Sequence, residues 1–474
     1  MRNSELFAAY VELLRELKIQ RNPALEKILK KARIRTLSGV SPVAVLTKEM
    51  GCPGKCIFCP TEKGMPKSYL SNEPAVMRAV RAKFDPFLQV RDRLTALTAC
   101  GHATNKIELI IMGGTFSAHP KQYQNWFIRR CLTALNSHKS RSRSLADLKK
   151  ANETSRHRLV GLTLETRPDF ISENEVRRFL MLGCTRVEFG AQNLSDKILA
   201  KVKRNHTTAD TVHAIKLLKN AGLKVGLHLM PNLPGATPKS DLEMFHELFT
   251  NEDFAPDQLK IYPTVLVENT ELKKWWAAKK WQPYSDKTLT ELLTEIKKLV
   301  PPWVRLSRII RDIPAESIIA GSKITNLRQV LQQKKVLCHC IRCREIRDEK
   351  FDPKKTQLIK REYRASGGKE IFLSFESKDK LIALLRLRFC KKGAFVREIH
   401  SYGAELKFGE HEKGSGQHHG FGKKLIKIAE KIAIRQKFRE LKIISGVGVR
   451  PYYRQLGYRL DRDGIYVVKK LHAK

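Results

Sequence analysis

Between residues 38 and 314 short apolar runs alternate with longer stretches in which apolar residues return every three or four positions. The runs 42–46, 107–112, 159–164, 186–189, 225–230, 258–262 and 305–310 predict strands, and the stretches 75–98, 123–135, 173–182, 209–220 and 286–299 predict helices. Strict alternation of this kind builds parallel strands covered by helices, an α/β barrel or part of one, with its chemistry on the loops after the strand ends. Residues 4–31 carry an amphipathic pattern that Pro23 divides into one or two helices. From residue 357 the pattern changes. Strands 357–363, 370–375, 381–389 and 395–401 follow one another, and then come a Gly-rich turn, a helix over 424–438, a strand, a short helix and a last strand at 465–469. This predicts a separate α+β domain. The expected division is a basic helical segment 1–36, a barrel 37–331, a charged linker 332–354 and the α+β domain 355–474.

Composition narrows the class. The 474 residues, 42% of them hydrophobic, suffice for two or three globular domains. No apolar run reaches the ~18–20 residues that cross a bilayer, and the first twenty residues lack the apolar core of a signal peptide. A cytoplasmic, non-membrane protein is expected. Net charge is +42, from 90 Lys and Arg against 48 Asp and Glu, which attracts polyanions such as RNA, DNA or acidic membrane and makes nucleic acid the first substrate to consider. Residues 138–150, HKSRSRSLADLKK, read either as a loop that meets RNA phosphates through Lys139, Arg141 and Arg143 or as an ordinary mobile charged loop. A second basic stretch holds Lys30, Lys31 and Arg33.

Six of the ten cysteines fall into two tight clusters, which in a reducing compartment points to metal rather than disulfides. Cys100, Cys131, Cys184 and Cys390 are scattered and read as small buried apolar residues. The first cluster is Cys52, Cys56 and Cys59, at C-x3-C-x2-C spacing just after the first predicted strand. Three thiolates from one loop can hold three irons of a [4Fe–4S] cluster and leave the fourth open to a small molecule. A zinc site would want a fourth close ligand, and the loop has none. This spacing resembles the radical S-adenosylmethionine (SAM) enzymes.

Further motifs follow in order: Pro66-Lys67-Ser68-Tyr69, Glu73-Pro74-Ala75-Val76-Met77-Arg78-Ala79, Ile111-Met112-Gly113-Gly114-Thr115-Phe116, Glu165-Thr166-Arg167-Pro168-Asp169, Glu188-Phe189-Gly190-Ala191-Gln192, His228-Leu229-Met230-Pro231-Asn232-Leu233-Pro234-Gly235 and Leu259-Lys260-Ile261-Tyr262-Pro263-Thr264. From about Arg33 to the C-terminus the chain resembles the catalytic subunit of Elongator and its single-chain microbial relatives. The resemblance implies a radical-SAM barrel fused to a GNAT-type acetyl-CoA domain, which makes carboxymethyl groups at C5 of the wobble uridine of tRNA. It implies that Gly113, Gly114 and Thr115 receive the amino group of SAM. A Gly-Gly pair after a strand lets backbone approach a ligand closely, though it also serves as a plain tight turn. Glu165, Glu188 and Gln192, at or beyond strand ends, are candidates for the SAM ribose or methionine, and Arg167 for its carboxylate. Each could equally be a buried structural pair.

The C-terminal domain carries Gln417-His418-His419-Gly420-Phe421-Gly422-Lys423 before an amphipathic helix. Glycines that open a helix aim free N–H groups and the positive dipole end at an anion, such as a pyrophosphate. By resemblance, the backbone of Glu398, Ile399, His400 and Ser401 runs along the pantetheine of acetyl-CoA. Phe421, Gly422 and Lys423 then meet the phosphates, and Tyr453 reaches the thioester. Lys106 matches a family lysine linked to acetyl-CoA use; alone it would read as a solvated charge at a strand end. The second cysteine cluster, Cys338, Cys340 and Cys343, suits a structural zinc that lacks one ligand. His400 is the expected fourth, ahead of the constrained His339, because it would tie the linker to the C-terminal core. An unmetallated linker is the alternative.

Two departures from the family pattern touch loop geometry without removing a ligand. Thr61-Glu62-Lys63-Gly64 follows Pro60 where Gly-Gly-Pro is common, and Pro451 precedes the tyrosine pair where a polar residue is usual. The second leaves the role of Tyr453 open. Two other functions compete with the tRNA enzyme: a protein lysine acetyltransferase whose iron–sulfur domain is structural, and a non-catalytic tRNA-binding scaffold.

Overall fold

The structure is a computed structural model. It describes residues 3–16, 19, 20, 22, 25, 28, 29, 36, 38–50, 52–137, 144–347, 349–403 and 420–472. Lys30, Lys31, Arg33, the loop residues Lys139, Arg141 and Arg143, and Gln417, His418 and His419 lie outside the described residues.

Strands β1 (Ser41–Leu46), β2 (Lys106–Met112), β3 (Arg158–Thr166), β4 (Arg186–Gln192), β5 (Lys224–Leu229), β6 (Gln258–Ile261) and β8 (Arg305–Arg308) form one sheet in sequence order. Every neighbouring pair is parallel, with register Ser41↔Ile107 at one end and Gln258↔Arg305 at the other. The sheet curls into a half-barrel without closing. β7 (Leu266–Val267) and β9 (Ile318–Ala320) make a small antiparallel pair beside it. Alternation sets the two faces of the wall. In β2, Ile107, Leu109 and Ile111 are fully buried in the outer apolar core under the helices. Lys106, Glu108, Ile110 and Met112 point to the inside. All seven predicted barrel strands form, and the helices Glu173–Leu182 and Asp286–Leu299 span the residues expected.

The stretch 75–98 is two helices, Pro74–Arg81 and Pro86–Ala99. A proline inside a helix removes a hydrogen bond and clashes with the preceding turn, so each proline opens a helix instead. Lys83 and Phe84 turn the chain at φ +49° and +54°, and the Asp85 carboxylate caps the second helix by accepting from the Leu88 N–H. The region read as a basic loop also contains a helix, Leu145–Asn152. Ser144 and Asp147 form its capping box.

The second sheet has the order β10 (Gln357–Ala365), β11 (Gly368–Ser377), β12 (Lys380–Cys390), β13 (Gly393–Ser401), β14 (Glu440–Ile444), β16 (Tyr466–Lys470), β15 (Arg459–Leu460). All its pairs are antiparallel except β13 with β14. That parallel pair spans only Ala394–Val396 against Leu441–Ile443. Beyond it the strands part, and Glu398–Ser401 are paired on the β12 side alone, with Arg397 at a break in the β12 register. Helix Phe421–Arg435 lays Phe421, Leu425, Ile426, Ala429 and Ala433 on the sheet.

The second sheet docks at the N-terminal ends of the barrel strands. Gly446 and Gly448 lie so close to β3 that a Cβ at Gly446 would stand 2.3 Å from the Val160 carbonyl oxygen, so only glycine fits. Arg454 pairs with Glu153 across the seam at 2.6 and 2.8 Å. No helix among the described residues is long and apolar enough to cross a membrane.

Candidate active site

A cavity of about 1020 Å³ runs through the half-barrel. At one end it meets Cys59, Glu165 and Gln192, where the strands finish. At the other it meets Lys106, Lys224 and Arg305, where they begin, and there Glu398 of the second sheet, with Phe421 and Tyr453 of the helices beside it, closes it. One continuous space therefore touches both sets of sequence motifs.

The inner face of the barrel is charged. Arg186 Nε stands 3.1 Å from Glu188 Oε1, and another nitrogen of the same guanidinium pairs with Glu108. Lys260 donates to Glu188. His228 lies between two carboxylates, with Nε2 3.5 Å from Glu188 and Nδ1 3.9 Å from Glu165. The Tyr69 hydroxyl donates to Glu165 at 2.7 Å, and so does the Gly113 N–H at 3.3 Å. Burial alone would raise Glu188, but the Lys260 and Arg186 cations outweigh it and hold the carboxyl well below its usual range. Burial, with the Lys260 charge, lowers His228 and favours its neutral form.

At the finishing end of the strands, Cys56 is buried and Arg204 donates to its sulfur at 3.5 Å. Cys52 accepts from the Gly54 N–H at 3.4 Å. The hydrogen bond from Cys59 lowers Cys56 against the burial penalty, and Arg204 and Arg167 add to the effect. Sulfurs sharing one zinc ion at ~2.3 Å bonds lie no more than about 4.6 Å apart. Cys338, Cys340 and Cys343 come together on about that scale, with ligand atoms all within 4.8 Å of one another. Cys52, Cys56 and Cys59 do not form such a group. Gly113 and Gly114, at φ +126° and +92°, make the bend after β2. A Cβ on Gly113 would run into Thr47 Oγ1 at 2.1 Å. Gln192 sits at φ +67° on a bulge of β4, and its buried Oε1 has no partner.

The Radical SAM superfamily profile matches residues 50–248, and the Radical SAM C-terminal domain profile matches residues 256–336. A tRNA uridine(34) acetyltransferase of Methanocaldococcus infernus is 46% identical over 97% of this chain and 91% of its own length. The protein of the same description from Dehalococcoides mccartyi is 47% identical over 90% and 97%. Human Elongator complex protein 3 is 38% identical over 97% and 89%. The chain belongs to the Elongator complex protein 3 family. The solved structure of archaeal Methanocaldococcus infernus Elp3 lacking its residues 1–46 superposes with a TM-score of 0.79 at 43% identity, covering 92% of this chain and all of that one. A Radical SAM domain implies a [4Fe–4S] cluster and SAM, and the cysteine loop and the open Gly113-Gly114 bend fit that pair.

Against this family background the cavity gathers most of the sequence candidates. Cys59, Glu165, Glu188 and Gln192 line its barrel side, and Lys106 lines it at the start of β2. Glu398, Ile399, His400 and Ser401 line it from β13, and Phe421, Gly422, Lys423 and Tyr453 from the far wall. Gly113, Gly114 and Thr115 sit behind this lining, at the bend.

Two placements bear on the expected roles. Arg167 is turned to the cysteine loop. Its guanidinium is held by Asp169 at 3.0 and 2.9 Å and by the Arg204 carbonyl at 2.8 Å, while its Nη1 is buried beside the loop without a hydrogen-bond partner. His400 is not grouped with Cys338, Cys340 and Cys343. Its Nε2 lies 2.6 Å from the Ser38 carbonyl and its ring stacks near Tyr402 at 4.3 Å, so the histidine faces the cavity and the chain entering β1. The three cysteines instead sit where the turn Cys340–Cys343 packs under Val304, whose carbonyl accepts the Ile341 N–H at 3.0 Å.

Residues missed from sequence include Glu108, Arg186, His228 and Lys260. Their signal was present as charges at every second position of predicted strands. Such a polar face ordinarily meets solvent, and here it lines the barrel interior.

Proposed function

We propose that this chain modifies the wobble uridine of tRNA by joining SAM-derived radical chemistry to acetyl-CoA, leaving a carboxymethyl group at C5. The observation that carries this is the single cavity between the cysteine loop and the cradle at Phe421–Lys423. When bound, the cluster and SAM supply the radical that takes hydrogen from the acetyl methyl.

The chain's own residues support an acyl-CoA site. β13 and β14 part after Val396, and strand backbone without a ladder partner offers N–H and C=O groups to an extended amide ligand such as pantetheine. Gly420, at φ +75°, caps helix Phe421–Arg435, and the positive end of that helix's dipole suits a pyrophosphate. A Cβ on Gly422 would stand 3.1 Å from the Tyr452 hydroxyl, so a small residue keeps that cradle open. Tyr453 is 4% exposed and faces the cavity beside it, and burial raises its hydroxyl pKa, so it stays a donor. A hydroxyl donor at a thioester carbonyl would orient the acetyl group toward the barrel. Zinc at Cys338, Cys340 and Cys343 would brace the linker 332–354 between the radical-SAM region 37–331 and the acyl-CoA region 355–474.

The basic balance of the chain suits a tRNA substrate in the cytoplasm, with the segment 1–36 contributing to its capture. The test is anaerobic reconstitution with iron, sulfide, SAM, acetyl-CoA and tRNA, followed by mass spectrometry of the nucleosides. Carboxymethyluridine that requires all three substrates is the expected product. Acetyl-lysine on a protein substrate with unchanged tRNA would support the lysine acetyltransferase reading instead.

A further inference from the structure

Arg342 lies between Cys340 and Cys343 in the short helix Ile341–Arg344, and its side chain lines the large cavity. Its Nε is buried without a hydrogen-bond partner. Among the described residues no carboxylate forms an ion pair with this guanidinium. Arg328, Arg305 and Arg347 stand near enough to act on it by charge, with Glu345 the one opposing group among its main influences. Glu345 is already engaged, at 2.9 Å by Arg305 and at 3.6 Å by Arg347. The corner thus holds four guanidinium groups against one carboxylate and the three cysteine sulfurs, and those sulfurs act on Arg328. A cation taken out of water without a counter-charge is costly, and an anion in the cavity would offset that cost.

The surroundings say where the anion would lie. Ile341 belongs to the same apolar cluster as Phe421, and the Phe351 ring is 6.2 Å from the Phe421 ring. Through Phe351, the cysteine-bearing linker therefore packs near the start of helix Phe421–Arg435, where the anion cradle opens.

We propose that Arg342 is a phosphate ligand of this cavity, engaging a phosphate of coenzyme A and presented to it by the three-cysteine turn. The inference rests on the acyl-CoA reading of the site. A guanidinium offers a planar fork that matches two phosphate oxygens, which a lysine ammonium does not reproduce. The linker then contributes a ligand contact as well as a mechanical joint.

Titration calorimetry on the full chain tests this, with coenzyme A, with pantetheine, which carries no phosphate, and with tRNA. Arg342→Gln should weaken coenzyme A binding by roughly ten- to a hundredfold. Arg342→Lys should recover part of that loss, and pantetheine should bind all three proteins equally. Thermal unfolding and metal content identify any variant that has lost its fold; if Arg342→Gln has, the Arg342→Lys comparison carries the test alone. Equal coenzyme A affinity in a folded variant and the starting protein would overturn the proposal. A loss of tRNA affinity with coenzyme A binding intact would also overturn it, giving the cation to an RNA phosphate. Coenzyme A failing to bind even the starting protein would overturn the acyl-CoA reading itself, an outcome distinct from a variant-insensitive affinity.

Discussion

Arg397 of β13 and Asp257, the residue before β6, are joined by two hydrogen bonds of 2.8 and 2.5 Å, with both side chains fully buried. The pair bolts the second sheet to the start of the barrel strands. Around it, Lys219 stands 3.6 Å and Arg386 3.5 Å from the same carboxylate, and Arg397 also reaches Glu370 at 3.1 Å. Burial would raise Asp257, but Arg397, Lys219 and Arg386 outweigh it and hold the carboxyl far below the usual range.

Asp257→Asn should therefore destabilise the protein by about 3–5 kcal/mol at neutral pH, because it leaves buried cations without their counter-charge. A carboxylate whose folded pKa is depressed adds stability that is fully present above its unfolded pKa of about 3.9 and is lost as pH falls toward the folded value. Urea unfolding should thus give a constant gap between the two proteins from pH 7 to about pH 5, narrowing below that. A variant that unfolds at the same urea concentration as the starting protein at pH 7 would show that this pair does not hold the sheets together.

The strands and their order were legible because apolar runs at regular intervals specify a helix-covered parallel sheet whatever the inner face carries. Less legible was how the two halves share a space. Lys106 and Glu108, Arg186 and Glu188, and His228 and Lys260 read as strand polar faces, and only the curl of the sheet turns those faces inward. The break at Pro86 was written in the sequence as Asp85-Pro86, a cap followed by a first-turn proline, and was overridden by the apolar periodicity on either side. Helix Phe421–Arg435 starts earlier than the glycines suggested. Only Gly420 needs positive φ, and Gly422 is already helical. The place of His400 could not be read at all, since its Ser38 partner is 362 residues away.

Iron binding should depend on Cys52, Cys56 and Cys59 as a set. Their sulfurs do not converge on a single-ion site, while Arg204 and Arg167 supply positive charge beside them. Anaerobic reconstitution should load about four irons per chain, with the broad visible absorption of a cluster. The triple Cys→Ala variant should lose both iron and colour. Unchanged iron content in that variant would place the metal elsewhere.

Zinc, by contrast, should follow Cys338, Cys340 and Cys343 and not His400. A structural zinc contributes on the order of 10 kcal/mol to local folding. Cys340→Ser should release it and loosen the linker, as read by metal analysis and limited proteolysis. His400→Ala should keep its zinc, because that ring is committed to the Ser38 carbonyl at 2.6 Å. Zinc lost from His400→Ala would restore the histidine as the fourth ligand and require the linker to move toward β13.

Tyr453 and Lys106 both line the cavity, one from the short helix Arg450–Arg454 of the second domain and one from the first residue of β2. Tyr453 packs edge-on against Tyr452 at 5.2 Å and Tyr458 at 6.3 Å, so its ring position is fixed by its neighbours. Tyr453→Phe keeps that packing and removes only the hydroxyl. If the hydroxyl orients the thioester, carboxymethyluridine formation should fall about tenfold or more, in line with losing one buried hydrogen bond to a polarised carbonyl. Overall stability and tRNA affinity should stay within error of the starting protein. Lys106→Ala removes a charge from the same space and should lower the same rate. A loss of tRNA affinity in both variants would make these residues nucleic-acid contacts, and full activity in both would remove them from the reacting end of the cavity.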